Sequence, residues 1–173
     1  MKCTFTVFML FATAAVFAQQ KNPVSSAVKE FLPRQQKNLV ASAEEMPANK
    51  FNYKPTEAQA TFGELMVHTI ETNNFLCARI GDVPAVKSAP VSETDGKDKL
   101  LAALKASFEF CSTTLAKVDD SKLSDELELF AGRKGSRAFA LIGLTNGWAD
   151  HYAEAAMYLR LNGLLPPTAQ SKK

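Results

Sequence analysis

Residues 145–167 read TNGWADHYAEAAMYLRLNGLLPP, and this stretch decides the fold. Apolar and polar residues alternate at helical spacing, so it is one amphipathic helix. With its lead-in the helix runs roughly from Ser136 to Leu161. Asn162-Gly163 suits a left-handed C-cap, and Pro166-Pro167 bars continuation. The helix carries His151, one of only two histidines in the chain.

Three more helices are legible upstream. The first runs roughly from Pro23 to Glu45, with Val24, Val28, Phe31, Leu32 and Leu39 near helical spacing. Pro33 lies inside it and either kinks the helix or marks its true first turn. The second follows Thr61, which with Glu64 forms a capping box ahead of an apolar run. Thr56 and Gln59 resemble another. Phe62, Leu65, Met66, Thr69, Ile70, Phe75 and Leu76 make its buried stripe, and Gly81 to Pro84 ends it. The third spans roughly Lys97 to Lys117, with Leu100, Leu104, Phe108 and Cys111 on one face. Before the fourth helix, Leu127 to Phe130 has room for a short extended piece. The predicted fold class is therefore all-α, a four-helix bundle. Its long links make at least one crossover connection necessary to consider.

The chain has 173 residues, and its start reads as a targeting segment. Lys2 is a short basic region, Phe5 to Val16 is apolar, and Val16-Phe17-Ala18 offers small residues for cleavage. That pattern predicts a signal peptide over 1–18 and a mature domain over 19–173. The apolar run is short for a membrane span, so no stable anchor is expected after cleavage. The expected localisation is periplasmic or secreted. Formal net charge is +2 with both signs interspersed, which leaves no footprint for nucleic acid. Cys3 would leave with the signal. Cys77 and Cys111 remain, and export raises the prospect of a disulfide between them. Separately buried thiols are the alternative.

Residues able to carry chemistry are few. There is no Walker loop, GxGxxG, HExxH or CxxC. Each histidine has a carboxylate three positions on, His68 with Glu71 and His151 with Glu154, and such pairs share a helix face. Glu64 precedes His68 by four. Imidazoles and carboxylates from two helices could thus converge on a metal, as bundle sites do. Two unrelated polar residues are the plainer alternative.

Two segments add to this. Residues 44–82, EEMPANKFNYKPTEAQATFGELMVHTIETNNFLCARIGD, and 150–167, DHYAEAAMYLRLNGLLPP, resemble the DinB-like (DinB/YfiT) superfamily. The first carries its Met-Pro…Phe-Gly-Glu-Leu…His segment. The second carries its His-Tyr…Tyr-Leu-Arg-Leu-Asn-Gly…Pro-Pro ending. The resemblance spans essentially the whole mature chain. It implies a four-helix bundle with a crossover, and a divalent metal, zinc or nickel, held by three histidines. One comes from the second helix and two from the fourth, spaced His-x-x-x-His. The matching positions here are His68, Gly147 and His151, so Gly147 occupies the place of the third ligand.

Two readings follow from that departure. A carboxylate completes a weaker site, with Glu71 and Glu154 better placed than Asp150, which points about 100° around the helix from His151. Alternatively the metal is absent and the groove persists as a ligand-binding cleft. Gly143 and Gly147 either pack closely against a neighbouring helix or leave room beside the histidines. Trp148 reads as core. Tyr152, Tyr158 and Arg160 belong to the family's ending and read as packing and loop capping. Phe51 and Tyr53 read as a plug at one end.

Three functional classes stay open. One is a non-catalytic module with a residual metal or small-molecule groove. Another is a metal-dependent enzyme, either of the thiol transferase type that the resemblance implies or of a hydrolase type. The last is a structural bundle, for which a homodimer is one form. Whether the chain is an enzyme is not decided by its sequence.

Overall fold

The computed structural model describes residues 21–86 and 90–170. The expected signal peptide over 1–18 lies outside the described residues. Four helices dominate: α1 (Pro23–Glu45), α2 (Phe62–Ile80), α3 (Lys97–Leu115) and α4 (Arg137–Leu161). Two three-residue strands, β1 (Glu126–Glu128) and β2 (Lys134–Ser136), pair antiparallel with Leu127 opposite Gly135. The all-α expectation is corrected to this extent. Leu127 and Leu129 bury against the bundle, and Ala131 and Gly132 at the tip take left-handed backbone (φ 56° and 72°) that reverses the chain.

Cap chemistry sets the helix starts. Glu64 N–H donates to Thr61 Oγ1 (3.1 Å), and Thr61 N–H donates to Glu64 Oε2 (2.5 Å), closing the box ahead of α2. Ser136 Oγ accepts from Phe139 N–H and starts α4. The start of α1 is capped from far away in sequence. Val24 and Ser25 N–H groups both donate to Asp120, each at 2.8 Å. Pro33 neither starts nor stops α1, which runs unbroken through it at an exposed position. Thr56 and Gln59 form a turn rather than a helix start. Phe31 is 49% exposed, not part of the buried stripe.

The helices' directions follow from side-chain pairs. Asn73 meets Ser107 and Cys77 is bonded to Cys111, so α2 and α3 run parallel. Gln36 meets Glu109 and Glu44 meets Lys105, so α1 is antiparallel to α3. Arg137 at the start of α4 reaches Ile80 and Asp82 at the end of α2, so these two are antiparallel. Each of α1 and α2 packs on both α3 and α4. The parallel neighbours α2 and α3 require a connection that returns along the bundle, and the link between Ile80 and Lys97 has to supply that crossover.

The core is continuous. Trp148, Tyr158, Phe62, Phe108, Leu39 and Met66 are fully buried within it. Phe51 packs edge-on against Phe62 at 5.2 Å and Tyr53 against Tyr158 at 6.2 Å, plugging one end. Tyr158 donates to Ala60 O (2.5 Å), which ties α4 to the approach to α2. At the other end Arg137 is buried, with its guanidinium on Ile80 O and on both oxygens of Asp82. It satisfies a carbonyl at the C-terminus of α2 while anchoring the start of α4.

Candidate functional site

The antiparallel pair α2 and α4 leaves a groove of about 280 Å³ between them, roofed by the β1–β2 hairpin. From α2 come His68, Thr72 and Leu76. The hairpin adds Leu129, Phe130 and Arg133. From α4 come Phe139, Ala140, Gly143, Gly147 and His151. Among the described residues, the lining contains no carboxylate.

His68 and His151 meet at the floor, with ring centroids 4.9 Å apart and planes at 72°. The antiparallel packing of α2 and α4 brings them together from 83 residues apart in sequence. Two imidazoles bound to one tetrahedral ion, with metal–nitrogen bonds of about 2.0–2.1 Å, place their centroids roughly 5 Å apart. The spacing is compatible with a shared ion. Thr69 orients His151. Its hydroxyl donates to Leu65 O (2.8 Å), and its oxygen lies 3.2 Å from His151 Nδ1. The single hydroxyl proton is already committed, so Nδ1–H is the donor and Nε2 keeps its lone pair. Burial first, and the neighbouring His68 second, push His151 down to about 4, against a small opposing pull from Asp150. The ring is therefore neutral at pH 7.

The carboxylates are engaged elsewhere. Glu64 is held by the cap of α2. Glu71 lines a different groove, between α2 and α3, with Asn74 and Ala103. Glu154 lies against Tyr158, whose hydroxyl burial and then Glu154's charge push up to about 12. Among the described residues, no group of three or more His, Cys, Asp or Glu side chains is placed to hold a metal ion. The three-histidine holder implied by the resemblance therefore does not fit this chain, which offers two imidazoles and a glycine.

Gly147 is not held by packing. A Cβ built there meets only His151 Cε1, at 3.9 Å, and one built at Gly143 meets nothing within 4 Å. Both have ordinary helical backbone. Close packing against a neighbouring helix is thus ruled out for this pair, and they leave open space beside the histidines. Gly63, in the Phe-Gly-Glu-Leu motif, is the opposite case. A Cβ there would sit 3.0 Å from Glu93 O and 3.2 Å from Phe51 O, where the crossover and the link after α1 converge on α2.

Trp148 turns inward and donates to Asn73 Oδ1 (2.7 Å), whose amide donates on to Ser107. Tyr152 holds the C-terminal loop through Thr168 (2.6 Å), and Arg160 is exposed. Cys77 and Cys111 form a disulfide with Cα atoms 5.2 Å apart, fully buried between α2 and α3. Thr69, Arg133, Phe130 and Phe139 had no signal pointing to the site. The hairpin carries its residues onto α2 by tertiary packing, which periodicity cannot register.

Four helices with this crossover and a histidine pair between α2 and α4 define a DinB-type bundle. A family model described as the DinB superfamily matches residues 32–154, and the chain belongs to that superfamily. Solved structures with the same fold include a DinB-like protein, YjoA, of Bacillus subtilis. It has TM-score 0.65 and 17% identity, over 84% of this chain and 99% of that one. A conserved protein of Enterococcus faecalis matches with TM-score 0.62 and 15% identity, over 83% and 98%. A DinB-like protein of Bacillus cereus matches with TM-score 0.65 and 14% identity, over 82% and 95%. No curated protein matches the chain.

Proposed function

We propose that this chain is an exported, non-catalytic binding member of the DinB superfamily, whose α2–α4 groove receives a small molecule. The observation that carries this reading is the floor of the groove. Two imidazoles lie 4.9 Å apart, and a glycine stands where the third ligand would be. Two nitrogen donors hold zinc or nickel far less tightly than three, so any metal there exchanges readily. The export part rests on the 1–18 pattern, and a buried Cys77–Cys111 bridge suits an oxidising compartment. No helix among the described residues is long and apolar enough to cross a membrane.

An enzymatic reading is favoured by one observation, the centroid spacing that matches a shared ion. A metal completed by water or substrate would supply Lewis acidity there, as thiol transferase-type or hydrolase-type chemistry requires. Elemental analysis of the purified mature protein separates the two. Substoichiometric zinc and nickel, removed by dialysis, support the binding reading. One tightly held equivalent, lost in both His68→Ala and His151→Ala, would overturn it in favour of the enzyme.

A further inference from the structure

We infer that the groove selects a small, flat organic anion, an aromatic carboxylate or its chemical equivalent, whose acid group is met by Arg133. The inference rests on the groove reading above and names its ligand class. Three observations carry it.

The first is charge. Among the described residues, Arg133 is the one permanently charged side chain in the lining, and no acidic residue stands there. Among the described residues Arg133 makes no ion pair, whereas neighbouring Lys134 is paired with Glu126 at 2.7 Å. The Arg133 guanidinium lies over the Phe139 ring at 6.0 Å, which holds its fork at the rim while leaving its donors free.

The second is shape. Gly143 and Gly147 lie along the same side of α4, beyond the buried Ala140, and present almost bare backbone to the groove. The glycines are not required by φ or by packing, and each weakens the helix relative to alanine by about 1 kcal/mol. Open space kept at the expense of helix stability suits a planar group lying on the strip. Phe139 and Phe130, both about half exposed, stand as apolar walls, Phe130 backed by the Phe75 ring at 4.3 Å.

The third is size. A groove of about 280 Å³ falls just below the range of about 300–1,000 Å³ for drug-sized ligands, which limits the occupant to one or two rings. At the floor, the His151 Nε2 lone pair can accept a hydrogen bond from a ring substituent.

The test is an NMR titration of the mature protein with 2-naphthoate and with its uncharged analogue 2-naphthamide. Shifts centred on Phe139, Gly143 and Gly147 are expected for both. Naphthoate should bind about fivefold tighter, the upper reach of one solvent-exposed ion pair. Arg133→Gln should erase that difference. Gly143→Leu should abolish both titrations while raising Tm, since leucine replaces glycine in a helix with open space around it, so lost binding is not lost fold. Equal affinities, or a preference that survives Arg133→Gln, would overturn the anion assignment and leave the groove reading intact. Binding unaffected by Gly143→Leu, or no binding of either probe, would overturn both.

Discussion

Replacing Gly147 by histidine tests whether the floor of the groove is a metal holder lacking one ligand. The built Cβ meets nothing closer than His151 Cε1 at 3.9 Å, so the first atom of the new side chain displaces no neighbour, and Gly147 lines the open groove. Without metal, exchanging glycine for an ordinary helix residue should add roughly 0.3–0.5 kcal/mol, which moves Tm by about 1–2 °C in a chain of this size. With metal the effect should be much larger. Three imidazoles in one groove need only reach a zinc concentration of about 100 times Kd to add about 2.7 kcal/mol, or roughly 5–10 °C. The wild type, with two imidazoles 4.9 Å apart, should show a small zinc-dependent shift at most. Thermal melts with and without zinc and chelator measure this directly. His68→Ala placed on the Gly147→His background should remove the zinc-dependent part alone. The reasoning is refuted if Gly147→His folds and melts normally but gains no zinc stabilisation. It is equally refuted if the gain persists without His68.

Five further outcomes follow from the geometry. In long-range nitrogen–proton spectra at pH 7, His151 should show the Nδ1–H tautomer, and its titration midpoint should lie near 4; a midpoint near 6.5 would contradict its burial. Gly147→Ala should stabilise by up to about 1 kcal/mol. Gly63→Ala should instead cost about 1–3 kcal/mol in urea unfolding, because two backbone oxygens stand 3.0 and 3.2 Å from the new methyl. Reducing the Cys77–Cys111 bridge, or replacing both by alanine, should lower stability by roughly 3–4 kcal/mol for a sequence separation of 34. The Arg137 guanidinium holds the Asp82 carboxyl below its usual range, with Lys122 helping. A depressed folded pKa gives stability that is present above about pH 3.8 and is lost as pH falls through the folded value. Asp82→Asn should therefore flatten the acid limb of the stability curve and cost about 1–2 kcal/mol at pH 7, since buried Arg137 loses a charged partner.

Periodicity and cap chemistry alone determined most of the fold. The apolar spacing located four helices, and their observed ends fall within two residues of those read from Thr61, Gly81, Asn162 and the prolines. These signals are local: a cap or a stripe is written in neighbouring residues, so it needs no knowledge of the rest of the chain. The resemblance at residues 44–82 and 150–167 located His68, His151 and the gap at Gly147. Tertiary structure decided what those residues are for. Only the antiparallel packing of α2 on α4 brings the two rings to 4.9 Å, and only it shows the carboxylates at positions 64, 71 and 154 drawn to a cap, another groove and Tyr158. Whether Gly147 was buried or open depended on what stood across from it, and nothing in neighbouring sequence encodes that. The hairpin's contribution, Arg133 and Phe130 over the groove, was hidden for the same reason. Local sequence dictates where a chain turns and coils. Which side chains meet across 83 residues is set by the few packings that bury all four apolar faces at once.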